Sequence, residues 1–230
     1  MGSGAEATRA NYNRLSRWYD LLAARSEGRH AEEGLRRLAV KAGEHVLEIG
    51  FGTGRCLMSL ARAVGAPGQL SGIDVSDRML EIARERLRRA GLGDRVLLIR
   101  GDAAELPFAP ASFDAVFMSF TLELFGGPRR SAVLAECRRV LRAGGRIGVV
   151  AMSDAPKGPA SRFMLGMYRE AHARLPAVID CQPMDARGTL ARAGFAIEST
   201  SEASMWGLPV EIVTARNPRA PGAGPQALPS

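Results

Sequence analysis

The sequence predicts an α/β fold: a doubly wound, mostly parallel seven-stranded sheet with helices on both faces and an antiparallel edge strand. Three observations lead there. Short apolar runs alternate with amphipathic stretches from Val46 to Met152. The first run opens into a turn with glycine at every second position, Gly50, Gly52 and Gly54. After Met152 the rhythm breaks, and two further strand-like runs close the sequence.

Each element has its own signal. Residues 8–40 read as a helical cap with Tyr12, Trp18, Tyr19 and Leu22 among its apolar positions and a break at Arg25–Arg29. Val46–Gly50 is short and apolar, as a strand covered on both faces should be. Arg55–Val64 follows as a helix, stopped by Gly65-Ala66-Pro67-Gly68. Gln69–Asp74 is the second strand. Ser76 or Asp77 caps the next helix, which runs to about Ala90 with Met79, Ile82, Ala83 and Leu87 as its inner stripe. Arg95–Arg100 and Phe113–Phe120 are strands three and four. Pro128–Leu141 is a helix, and Arg146–Met152 the fifth strand. Ser161–Leu175 and Asp185–Ala193 read as helices, and Phe195–Ser201 with Pro209–Ala215 as a closing hairpin. Asn217–Ser230 is rich in Pro, Gly and Ala and has the composition of a disordered tail.

Composition bounds the function. A chain of 230 residues with 46% hydrophobic content suits one domain with a full core. No apolar run approaches the roughly 20 residues that cross a bilayer. The first residues lack the basic-then-apolar pattern of a secretory signal. Cys56, Cys137 and Cys181 are scattered, as are His30, His45 and His172, so we expect reduced thiols in a cytoplasm and no metal site. The net charge is +7, with Lys41 and Lys157 the only lysines. Its arginines alternate with acids (Glu81, Arg84, Glu85, Arg88), which reads as solvated helix faces. The positive charge would also suit peripheral contact with an anionic membrane.

Asp74 lies at the end of the second strand, beyond the glycine turn and its helix. Such a unit holds a nucleoside: bare backbone approaches the ligand and the carboxylate accepts the ribose hydroxyls. The alternate-position glycines do not reproduce the G-x-G-x-x-G pyrophosphate cradle. Five segments then resemble the class I S-adenosylmethionine-dependent methyltransferases, in particular the ubiquinone/menaquinone C-methyltransferase group. They are Glu48–Gly54, Gly72–Ser76, Gly101–Phe108, Phe113–Val116 and Leu141–Arg146, in that order. The resemblance implies a Rossmann-like methyltransferase domain over residues 8–216, with 153–193 as a helical insertion on the substrate side. It implies S-adenosylmethionine as cofactor and S-adenosylhomocysteine as product. Glu48 would serve the cationic methionine end, Asp74 the ribose, and Asp102 with Ala103 the adenine. Val75 and Met79 would pack on the adenine faces, Ser119 and Phe120 would lie beneath the cofactor, and Tyr19 would help close the site.

The acceptor should sit beyond the ends of strands four and five. Candidates for its wall are Tyr12, Phe125, Met167, Tyr168 and Trp206, with Asp180 beside them. His172 and Glu123 are candidate bases. The fourth strand ends in Ser119-Phe120-Thr121-Leu122, without the Asn/Asp-Pro-Pro-Tyr/Phe run that holds a flipped base, which argues against a nucleic-acid substrate. No acidic cluster suggests a magnesium-assisted catechol reaction. The expected activity is therefore metal-free methyl transfer to a small apolar or aromatic acceptor, such as a quinone precursor. The alternatives are phospholipid N-methylation and a non-catalytic nucleoside-binding scaffold.

Overall fold

The computed structural model describes residues 27–174 and 181–218. It contains a seven-stranded sheet in the order β3-β2-β1-β4-β5-β7-β6. The strands are β1 (His45–Ile49), β2 (Gln69–Asp74), β3 (Val96–Arg100), β4 (Phe113–Ser119), β5 (Leu141–Met152), β6 (Ala196–Met205) and β7 (Leu208–Arg216). Strands β1 to β5 pair in parallel. The final strand, β7, runs antiparallel to both β5 and β6 and lies between them. The expected antiparallel edge is thus a hairpin whose second strand turns back into the sheet.

Helices cover both faces. Helix α1 (residues 27–38), α2 (Arg55–Val64), α3 (Asp77–Arg89) and α5 (Gly158–Arg174) contribute to one core with Leu38, Leu57, Phe117 and Ile212. Helices α4 (Gly127–Val140) and α6 (Ala186–Arg192) pack on the other, with Leu47, Val116, Leu134 and Leu190. Leu47, Leu57, Val116 and Phe117 are all fully buried, and each such side chain contributes about 1.5–3 kcal/mol. Eight of the nine residues of β7 are buried, as its interior position requires. Among the described residues no helix is long and apolar enough to cross a membrane.

Several boundaries differ from the sequence reading. Helix α1 already includes residues 27–29, which the sequence assigned to a break, and ends at residue 38, where Ala39 adopts φ 51°. The buried stripe of α3 is Leu80, Ala83 and Leu87, with Met79 and Ile82 only partly covered. Of the two expected caps it is Ser76 that serves, accepting from Met79 N at 3.3 Å. Leu141 leaves α4 in extended geometry and starts β5. β6 continues four residues past Ser201: its Ser/Thr/Glu alternation is too polar to announce a strand.

One corner joins the last strand to the rest. The Asn217 side-chain amide donates to Arg138 O and Leu141 O, both at 3.1 Å, at the exit of α4. Its backbone N–H donates to Gly145 O, and its carbonyl accepts from Gly144 N, both at 2.8 Å.

Candidate cofactor and acceptor site

The site lies where the parallel strands end. β1 delivers Glu48 and then the glycine turn, in which Gly50, Gly52 and Gly54 have φ of 69°, 49° and 78°. L side chains avoid that region. A Cβ at Gly50 would collide with the Thr121 side chain, and one at Gly54 would press on Ala83 at 3.0 Å. Among the described residues a Cβ at Gly52 would meet nothing within 4 Å, so the turn leaves space there. The first and third glycines permit packing, and the middle one leaves room above the backbone.

β2 ends at Asp74, whose carboxylate organises this turn. Oδ2 accepts from Gly52 N and Oδ1 from Ser76 N, both at 2.9 Å. One carboxylate therefore ties the glycine turn to the start of α3. Each oxygen keeps a second lone pair for a ligand hydroxyl. Val75 beside it is 72% exposed, an apolar surface suited to a flat ring. Arg86 of α3 latches the other side of the turn, donating to Thr53 O at 2.7 Å and Thr53 Oγ1 at 2.8 Å.

Glu48 is buried within β1 beside Gly72 of β2 and Phe117 of β4. Among the described residues its Oε2 has no hydrogen-bond partner. Burial, and then the Asp74 charge, push its carboxyl well above the ordinary range. A buried carboxylate needs a cation or a donor. An ammonium group above the glycine turn would satisfy it.

β3 leads to Asp102, whose Oδ1 accepts from Ala104 N at 3.0 Å. Ala103 is buried behind it. β4 ends at Ser119, followed by Phe120 at φ 49°, an uncommon conformation for a bulky residue. Thr121 then turns its hydroxyl back to Ser119 O at 3.0 Å. Five predicted contacts, Glu48, Asp74, Asp102, Ser119 and Phe120, thus gather at the carboxyl ends of four neighbouring strands.

The region where the acceptor was expected lies beyond the ends of β4 and β5. Glu123 sits in a short 3-10 turn and is 1% exposed. Its Oε1 accepts from Met152 N at 3.1 Å at the tip of β5, while Oε2 is buried and has no partner among the described residues. Burial raises its carboxyl to about 7, with the nearby Glu27 adding to the rise and Arg130 opposing it. Tyr168 of α5 donates to Cys181 O at 3.1 Å. Trp206 lies in the β6–β7 turn and is 45% exposed, as is much of Met167. Phe125 packs instead toward the α4 core, away from an open wall position. Tyr12, Tyr19 and Asp180 fall outside the described residues, as does the side chain of His172.

The sequence reading missed Thr121 and Arg86. Thr121 and Arg86 support the glycine turn through contacts 71 and 33 residues away in sequence, which no local pattern reports.

Comparison with known proteins agrees with this geometry. Residues 46–145 match the family described as a methyltransferase domain. The chain is 32% identical over 152 residues to a demethylmenaquinone methyltransferase of Lactobacillus johnsonii, covering 64% of this chain and 61% of that protein. It is 42% identical over 130 residues to methyltransferase GfsG of Streptomyces halstedii, covering 56% of this chain and 45% of that protein. A methyltransferase structure from Aquifex aeolicus superposes with a TM-score of 0.60 at 23% identity, covering 81% of this chain and 88% of that one. The chain spans roughly half to three-fifths of the curated relatives it matches. Residues 46–145 thus match a methyltransferase domain, and the chain has the fold of the class I methyltransferases, a class whose cofactor is S-adenosylmethionine. The unpartnered Glu48 oxygen, the open space over Gly52 and the Asp74 carboxylate fit that cofactor's ammonium, backbone approach and ribose.

Proposed function

We propose that this protein transfers a methyl group from S-adenosylmethionine to a small apolar or aromatic acceptor of the quinone-precursor type. The observation that carries the reading is the Asp74 carboxylate fixed against the Gly52 amide, beside an unsatisfied Glu48. When bound, the cofactor supplies a methyl group already activated on a positively charged sulfur. The protein's contribution is then alignment and the exclusion of water. Asp74 and Asp102 would fix the nucleoside ends, and Glu48 the ammonium. Phe120, held in its strained turn, would form the floor between cofactor and acceptor.

Glu123 is the base we assign. Its free oxygen is buried next to the tip of β5, and a carboxyl that titrates near 7 can take a proton at neutral pH. The acceptor atom would lose its proton to Oε2 as it gains the methyl group. Similarity to a demethylmenaquinone methyltransferase supports a quinone-like ring as acceptor.

Calorimetry tests the first half: S-adenosylmethionine and S-adenosylhomocysteine should both bind. Absence of binding at about millimolar ligand, with NADH binding instead, overturns it. Transfer of radiolabelled methyl to a panel of reduced quinones and phenols tests the second half. Label that reaches none of them, under conditions where the cofactor binds, refutes the acceptor class.

A further inference from the structure

The segment between β3 and β4 that begins with Gly101-Asp102 carries no helix, and α4 holds it in place. Glu136 accepts from Leu106 N at 2.8 Å. Arg139 donates to Phe108 O at 2.8 Å and Leu106 O at 2.9 Å. Arg129, two turns before Glu136, donates to Asp102 Oδ2 at 2.5 Å.

Arg129 is oddly placed for any purpose within its own helix. It sits in the first turn of α4, which contains no acid. A cation there opposes the helix dipole. Its neighbour Arg130 is held by Leu122 O and Phe125 O and closes the preceding turn. Arg129 reaches outward, to a carboxylate 27 residues away. Asp102 is then gripped from both sides, by Ala104 N on Oδ1 and by Arg129 on Oδ2. Its rotation is fixed, yet each oxygen retains a lone pair. A carboxylate so fixed is an acceptor without a donor. It attracts the exocyclic amino group of a 6-aminopurine and repels the carbonyl oxygen of a 6-oxopurine.

We propose that Arg129 is a positioning residue for nucleobase specificity: it orients Asp102 so that the site selects adenine over hypoxanthine. This rests on the reading that Asp102 takes the adenine amino group.

The test is calorimetry on the full chain with two ligands, S-adenosylhomocysteine and S-inosylhomocysteine. In Arg129→Gln the Kd for the adenosyl ligand should rise about fivefold, the scale of one charge-assisted hydrogen bond, while that for the inosyl ligand moves less than about twofold. Arg129→Lys should fall between, since a single ammonium cannot reproduce the fork. Asp102→Ala should lose more affinity and most of the discrimination. If Arg129→Gln leaves adenosyl binding unchanged while Asp102→Ala weakens it, the proposal fails and the adenine assignment stands. Equal weakening of both ligands in Arg129→Gln also overturns the proposal, because it would mark a general electrostatic effect. If Asp102→Ala changes nothing, the proposal and the adenine assignment fall together, and intact binding of S-adenosylhomocysteine would still uphold the cofactor.

Discussion

Replacing Glu123 by Gln should make the protein more stable at alkaline pH and leave it nearly unchanged in acid. Glu123 is buried, and its carboxyl is raised to about 7 from an ordinary value of 4.5. In the unfolded chain it loses its proton near 4.5; in the fold it keeps that proton until about 7. The folded state therefore holds more protons between these values, and stability falls as pH rises through that window. At about 1.36 kcal/mol per unit, the loss comes to about 3 kcal/mol once pH exceeds 7. Gln keeps an oxygen for Met152 N and cannot ionise, so the variant escapes the loss. Urea unfolding at pH 4 and at pH 8 measures it: the stability difference, variant minus wild type, should grow by about 3 kcal/mol between the two. Parallel pH profiles would refute the claim that this carboxyl is buried and proton-holding.

Other outcomes follow from the same contacts. Wild-type turnover should rise with pH and level off above about 7, and Glu123→Gln should lose both the rise and most of the rate; an unchanged profile removes Glu123 as base. Asp74→Ala should weaken S-adenosylhomocysteine binding more than about tenfold by calorimetry, since it removes the ribose acceptor and the Gly52 tether together. Glu48, raised in the free protein, should release a proton when an ammonium binds beside it. Binding enthalpies in buffers of different ionisation heat should show that release, and Glu48→Gln should abolish it. Gly50→Ala should destabilise the fold by about 2 kcal/mol or more through its positive φ and its clash with Thr121. Adding Thr121→Ala should restore part of that in thermal melts.

Much of this architecture could be read in the residues. The runs of β1 and β4 are short and largely apolar, and the alternate glycines followed by Asp74 mark the turn that this carboxylate ties to α3. β6 was cut short because its pattern is carried by Ser, Thr and Glu, which gain strand geometry only from pairing with β7. α1 was broken because charge at residues 25–29 resembles a loop when the face it covers is not known. The acceptor side was the least legible. Glu123 reads like any acid in a turn, and only burial against the end of β5 changes its chemistry. Arg129 carried a faint signal: a basic first turn with no acid asks for a partner elsewhere.

The strand that occupies an interior place in the sheet is also made after its two neighbours. Until the ribosome has released residues 208–216, β5 presents Ile147–Met152 as a bare, apolar template, and β6 has nothing to join. Nascent chains arrested before Leu208 carry an open hydrogen-bonding rim of the kind that recruits chaperones or other copies. The Asn217 amide, donating to Arg138 O and Leu141 O, then ties the exit of β7 to the end of α4.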